Sequence, residues 1–470
     1  MKKYHILLIA ILTTFSSCVE NPNVTEETYL TTPDATNSWV VGLKRKIALM
    51  LNATVVNMEI LSDNYFNNYS QYSKVFDKLQ IDYFDVDVNN IQSNIHQVRS
   101  MAQFGLDKVI PSDPTTTPSQ KAYMYFALAY SHLLAGELFI GLPATERGEV
   151  LSWEKHLELA IKNFDEAIKL EPDAELISAY RLFIARAYYR LGDASNAVAY
   201  AEMVKDKRSL VYEVEFDGVN GVSNEMQNAV YGSLPNRLAP LPRLDFLDPK
   251  YYYEGTSSTD QKSMAILKVE EAYLIIAEAQ ASNNQLVPAQ ATLQDLLDVV
   301  NMRPVALVDD SKEKRDGGNN KNYPLAEVDV KFDGNDNSPK QGYVLNRQNG
   351  KIPVYTVSGT KVTAGDIAAA TAQDELLYII YRLRQEIFMA EGRRVSDLGI
   401  RLSVSQNEEM SNPNVNDSHI KAQVPAFIPK DLDMDAFTYD KENGLVTMKY
   451  DMNKVLIENK TSPFIVPFIK

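Results

Sequence analysis

The sequence predicts a mainly α protein in which helix-turn-helix repeats build a scaffold and intervening loop-rich segments, with short β-hairpins, form a lobe. Three observations carry this. Large and small apolar residues recur at matching offsets in three segments, and an apolar stripe of helical spacing runs through 375–402. Two stretches, about 210–265 and 303–365, hold too many polar and turn residues to continue helices. With 470 residues, 45% hydrophobic and 23% charged, the chain has ordinary globular usage and can bury a substantial core.

At the N-terminus, Lys2-Lys3 precede an apolar run from Ile6 to Leu12, then Ser16-Ser17 and the chain's single cysteine, Cys18. The run is too short to cross a bilayer. This arrangement resembles a bacterial lipoprotein signal, with Phe15 standing where leucine is commonest. The resemblance implies removal of residues 1–17, lipidation of Cys18 and stable membrane attachment through the lipid anchor without a transmembrane helix. Residues 18–34 are polar with Pro22 and Pro33 and read as a tether.

One cysteine excludes an internal disulfide, and His5, His96, His132, His156 and His419 show no metal-ligand spacing, so neither a metal nor a cofactor is expected. An excess of 62 acidic over 47 basic residues repels phosphate backbones and argues against nucleic acid as a partner.

The body, 35–470, reads as one unit with helical repeats at about 121–209 and 270–301. Its three repeats fit the tetratricopeptide template of about 34 residues. In 178–209, Ile184, Ala185 and Tyr188 line the first helix, Gly192-Asp193 turns the chain, and Ala197, Ala201 and Val204 line the second. Small side chains at Ala185 and Ala197 let the two helices approach closely. A second copy runs from Glu270 through Tyr273, Ile276 and Ala277, turns at Asn284, and returns through Ala289, Leu293 and Leu296. A third is split: Tyr123, Phe126, Ala127 and Tyr130 precede an insertion with Gly141, Pro143, Gly148 and Trp153, and Ala160, Phe164, Ala167 and Pro172 follow it. Of the two tryptophans, Trp39 is assigned to the core.

Residues 375–402 carry Leu376, Ile379, Ile380, Leu383, Ile387 and Phe388 on one helical face. The segment also holds Arg384, Glu386, Glu391, Gly392, Arg394, Asp397 and Leu398. These positions, with the lipoprotein-like start and the split repeats, resemble the SusD/RagB family of outer-membrane nutrient-binding lipoproteins. Gly399-Ile400-Arg401 departs from it, standing where the family often has basic and aromatic residues. The charged residues of this segment read as a paired structural face; a catalytic Glu386–Glu391 pair is the sharper alternative.

The resemblance implies that the repeats pack against a transporter while a loop-rich ligand-binding lobe holds the nutrient. In 309–360, the runs flanking Asn349-Gly350 read as a hairpin, with Pro353 placing its strand at an edge. Asp329, Asp333, Asn335 and Asp336 raise the question of calcium, but Lys340 stands near where the terminal Glu would be needed, so a solvated turn is expected.

Sugar faces stack on aromatic rings, and tyrosine adds a hydroxyl. One candidate cluster is Tyr65, Phe66, Tyr69, Tyr72 and Phe76, whose spacing also fits a helical core stripe. Asn64, Asn67 and Asn68 are poor helix formers that suit hydrogen bonding to sugar or peptide. The other is Tyr251-Tyr252-Tyr253, which cannot all face one core, so Tyr252 or Tyr253 is a ligand-binding candidate. Arg243 and Asp245 are candidates for polar contacts beside it.

The chain has no G-x-S-x-G elbow, no phosphate-binding glycine loop and no spare cysteine, so no catalytic residue is assigned. The expected function, implied by the resemblance, is capture of an oligosaccharide or peptide at the cell surface. Delivery would be to a SusC-like TonB-dependent outer-membrane transporter. A surface glycoside hydrolase, with two carboxyls across a cleft, and a tetratricopeptide adaptor stand as alternatives.

Overall fold

The computed structural model describes residues 29–30, 32–70, 73–232, 236–253, 255–309, 323–347, 350–465 and 468. The signal segment, Cys18, most of the tether, Tyr72 and the turn at Asn349 lie outside them.

The longer helices are α1 (Ala35–Ile60), α2 (Val86–Phe104), α3 (Pro118–Leu138), α4 (Trp153–Leu170), α5 (Ala174–Leu191), α6 (Ala194–Glu202), α7 (Glu270–Ser282), α8 (Leu286–Asn301) and α9 (Gln373–Ile387). Each from α1 to α7 packs on the next, and α7 then packs on both α8 and α9. The mainly α helix-turn-helix scaffold read from the sequence is therefore present.

Its repeats follow the expected offsets. α5 ends at Gly192, whose φ of 74° suits a residue without Cβ, and Asp193 caps α6 by accepting from the Asn196 N–H. Ala185 and Ala197 are fully buried between the paired helices. Ala185→Leu is expected to cost about 2 kcal/mol through overpacking, read as a lower midpoint in chemical unfolding; a change near zero would show that this contact has slack.

In the split repeat the insertion folds into a hairpin, Gly141–Pro143 antiparallel to Val150–Ser152. A buried histidine pair ties it to the scaffold. His156 Nε2 lies 2.8 Å from the Leu142 carbonyl, which can only accept, so Nε2 carries the proton and His156 Nδ1 accepts from His132 Nδ1–H at 2.9 Å. Burial holds both imidazoles below their usual range, His156 at about 4. Trp153 opens α4, and the Arg401 guanidinium sits 4.1 Å over its ring.

The loop-rich segments close through short strands. Val211–Val214 pairs antiparallel with Met264–Lys268, and Tyr65–Asn67 with Leu238–Pro240. The spacing from Tyr65 to Phe76 also fits a helical core stripe, which the structure does not form. Instead α1 ends at Ile60, and Tyr65 is buried on a strand whose partner lies far along the chain. The hairpin expected around Asn349-Gly350 also has a different partner: Ile352–Tyr355 pairs with Val305–Val308, and 343–347 forms no strand. A hairpin does form at Asn443-Gly444, where Phe437–Asp440 turns back as Leu445–Met448, with Gly444 at φ 60°. Asp329–Lys331 adds to it in parallel. Of the carboxylates considered for calcium, Asp336 pairs with Lys340 at 2.7 Å and Asp333 with Lys454 at 2.6 Å.

The helix expected across 375–402 stops at Ile387, and Ala390 at φ 64° reverses the chain before a single turn at Arg394–Asp397. From Arg382 to Asp397 its charges are buried, and several pair over long sequence distances. Asp397 accepts from Arg190 and Arg384, each at 2.9 Å; Glu391 accepts from Lys250 at 2.5 Å and Lys268 at 2.7 Å; Arg394 donates to Asp63 at 2.6 Å. Glu386 accepts from Arg382 at 3.3 Å and Thr360 at 2.5 Å, so the two glutamates considered as a catalytic pair belong to separate networks. The structural reading of these charges stands, through burial and not through exposure.

Candidate functional site

A cavity of about 470 Å³ opens between the segment after α1 and the segment leading into the Asn443-Gly444 hairpin. Phe66, Asn67, Asn68, Tyr69, Lys74 and Asp77 line one side; Leu432, Asp435, Ala436 and Phe437 line the other.

Local hydrogen bonds fix the first wall. Asn67 N–H donates to Asp77 Oδ1 at 3.0 Å, and Tyr69 N–H to the Asn67 side-chain oxygen at 3.1 Å. Asn68 is tied to the 236–240 segment, its amide donating to the Asn236 carbonyl at 2.9 Å and its backbone N–H to the Arg237 carbonyl at 2.8 Å. The short helix Lys74–Asp77 sets Lys74 to donate to the Asn67 carbonyl at 2.7 Å and to pair with Asp77.

The aromatic face is assembled from three distant segments. The Phe66 ring centroid lies 5.8 Å from Tyr323 and 6.3 Å from Phe437, and Tyr323 meets Phe437 edge-on at 6.2 Å. Asp435, two residues before Phe437, is 7% exposed. Burial first, then the nearby carboxylates of Asp77 and Asp63, hold its carboxyl well above the usual range; burial also raises Asp77.

Of the residues singled out in the sequence, Phe66, Asn67, Asn68 and Tyr69 come to this cavity, while Tyr65, on the strand with Phe66 and Asn67, is buried without lining it. Tyr252 and Tyr253 are half-buried and not among the lining residues; the Tyr252 hydroxyl donates to the Asp309 carbonyl at 2.6 Å, and its ring meets Tyr231 edge-on at 5.8 Å. The expectation that Tyr251 to Tyr253 would not share one environment holds, since Tyr251 alone is buried.

Arg243 and Asp245, proposed for polar contacts, are turned inward instead. Arg243 pairs with Asp63, and Asp245 accepts from Tyr323 hydroxyl at 2.9 Å, Leu345 N–H at 2.9 Å and Arg347 at 2.5 Å. Through Tyr323, Asp245 steadies the aromatic face from behind. Sequence reasoning missed Asp435 and Phe437, although the Asn443-Gly444 turn signal that presents them is legible.

A larger cavity of about 560 Å³ lies among Asp366, Tyr378, Ile379, Arg382 and Ile457. Tyr378 is its one aromatic lining residue, and its hydroxyl is engaged by Asp451 at 2.7 Å.

No family model and no curated protein matches the chain. Solved structures do match it. A SusD superfamily protein from Bacteroides fragilis aligns with a TM-score of 0.53 and 13% identity over 82% of this chain and 99% of its own. A SusD-like carbohydrate binding protein from Bacteroides fragilis NCTC 9343 aligns at 0.52 and 11% over 92% and 99%. A SusD superfamily protein from Bacteroides vulgatus ATCC 8482 gives 0.52 and 12% over 83% and 98%. The TM-scores above 0.5 over most of both chains show shared architecture: the chain has the SusD-like fold.

Proposed function

We propose that this protein is a cell-surface lipoprotein that captures nutrient oligosaccharides and passes them to a partner TonB-dependent outer-membrane transporter, with no chemistry of its own. The observation that carries the reading is the cavity in which an aromatic face stands beside the Asn67, Asn68 and Tyr69 wall. Flat apolar rings receive sugar faces, and amides and hydroxyls receive sugar hydroxyls. The fold shared with a protein described as carbohydrate binding supports the ligand class. The lipoprotein-like start through Cys18 supports anchoring at the outer membrane, and the resemblance of the signature segment supports the transporter as partner.

Calorimetric titration of the purified protein against a panel of oligosaccharides and a peptide digest, with product analysis, tests this. Saturable glycan binding without new products is expected; cleaved products or binding of peptides alone would overturn it. Phe437→Ala is expected to weaken glycan binding roughly tenfold through loss of a stacking face, and unchanged affinity would place the ligand elsewhere.

A further inference from the structure

The cavity between 66–77 and 432–437 holds more acid than its own cation neutralises. Asp77 and Asp435 both line it, and Lys74 is the one lysine or arginine among the lining residues. Lys74 is already committed to Asp77 and to the Asn67 carbonyl.

Asp435 is left short of a donor. Its side chain is more than nine-tenths buried, and its Oδ1 accepts no hydrogen bond among the described residues. The charged groups facing it are Asp77 and Lys74 from the short helix, Asp63 from the turn after α1, and Arg243 from the 3₁₀ helix Pro242–Tyr251, and that Arg243 is itself paired with Asp63. A buried acceptor without a partner is destabilising, and a buried carboxylate without a counter-charge more so. A ligand hydroxyl supplies a donor but no charge; an ammonium supplies both.

We infer that this cavity takes an oligosaccharide bearing a free amine, with the ammonium seated at Asp435 beside Asp77 and a sugar face against Phe437. The inference rests on the capture reading and names the ligand chemistry at the same site. Burial, then Asp77 and Asp63, hold the Asp435 carboxyl well above the usual range; an ammonium seated there favours the carboxylate and draws it back down, so over the pH range between the two, binding releases a proton to solvent. Affinity therefore rises with pH until the ligand amine itself loses its proton.

Glucosamine oligomers with free amines and their length-matched N-acetylated counterparts test this, titrated calorimetrically at one pH in two buffers of different ionisation enthalpy. The free-amine series is expected to bind roughly ten- to a hundredfold more tightly, with proton release, and Asp435→Asn is expected to erase that margin. Preference and proton release in the unaltered protein decide the matter even if the variant does not fold. Equal affinity for both series, or tighter binding of the acetylated one, overturns the inference while leaving glycan capture intact. Binding of lysine peptides in place of either series overturns the sugar assignment, and binding of no glycan at all overturns the capture reading too.

Discussion

Asp397→Ala is expected to destabilise the protein by about 3–5 kcal/mol, a large share of an ordinary native margin of about 5–15 kcal/mol. Asp397 is 4% exposed and sits between Arg190 and Arg384, whose guanidinium groups face it at 2.9 Å each. Those cations and their hydrogen bonds hold its carboxyl far below the usual range despite burial. Removing it leaves two buried guanidinium groups, with Glu137, 3.3 Å from Arg190 and already paired with Arg186, as the nearby acid. Urea unfolding followed by circular dichroism would read the loss. A change under about 1 kcal/mol would be the signature of a solvent-exposed pair and would contradict the burial described.

Glu278→Gln is expected to act in the opposite direction and only above acid pH. Glu278 is fully buried; its Oε2 accepts from the Tyr189 hydroxyl at 2.8 Å and its Oε1 has no partner among the described residues. Burial outweighs the nearby Arg384 and raises its carboxyl from 4.5 to about 7. A folded-state value above the unfolded one means stability is present below pH 4.5 and lost as pH rises toward 7. Glutamine keeps an acceptor for Tyr189 and never ionises. The variant should match the parent near pH 4 and exceed it by about 3 kcal/mol at pH 8, measured as the difference between two unfolding curves across pH. A parallel offset at all pH values would refute ionisation as the cause.

These two residues also mark what the sequence could and could not reveal. Ala185, Ala197 and Ala289 declared their helix pairs because a small residue at a fixed offset is a local, periodic signal, and all three are fully buried. Charges carry no such signal. Along 375–402 the acids and bases look like a solvated or paired face, whereas several of their partners lie in the turn after α1, in α5 and in the segment before α7, hundreds of residues away in the case of Asp63.

Strand pairing failed for the same reason. Tyr65, Tyr69 and Phe76 have helical spacing, yet the partner of Tyr65 is Pro240, and nothing near Tyr65 announces it. The Asn-Gly steps at 349–350 and 443–444 carry like hairpin signals. The second is flanked by strands that pair with each other, whereas Ile352–Tyr355, after the first, pairs with Val305–Val308. The half of the cavity carrying Asn68 and Tyr69 was legible from residue type; the half carrying Asp435 and Phe437 depends on that second hairpin.

The pairing of Asp63 with Arg394, 331 residues apart, together with the Glu59 carboxylate receiving the Gly392 N–H, 333 residues apart, sets an order of events for a growing chain. The end of the first long helix and the turn after it carry two acids that each take a partner made late in synthesis. The loop that must close to join them is among the longest the chain contains, and non-local closure of this kind slows folding. The first segment to emerge is therefore among the last to be completed, and a chain cut short before residue 392 lacks the groups that complete it.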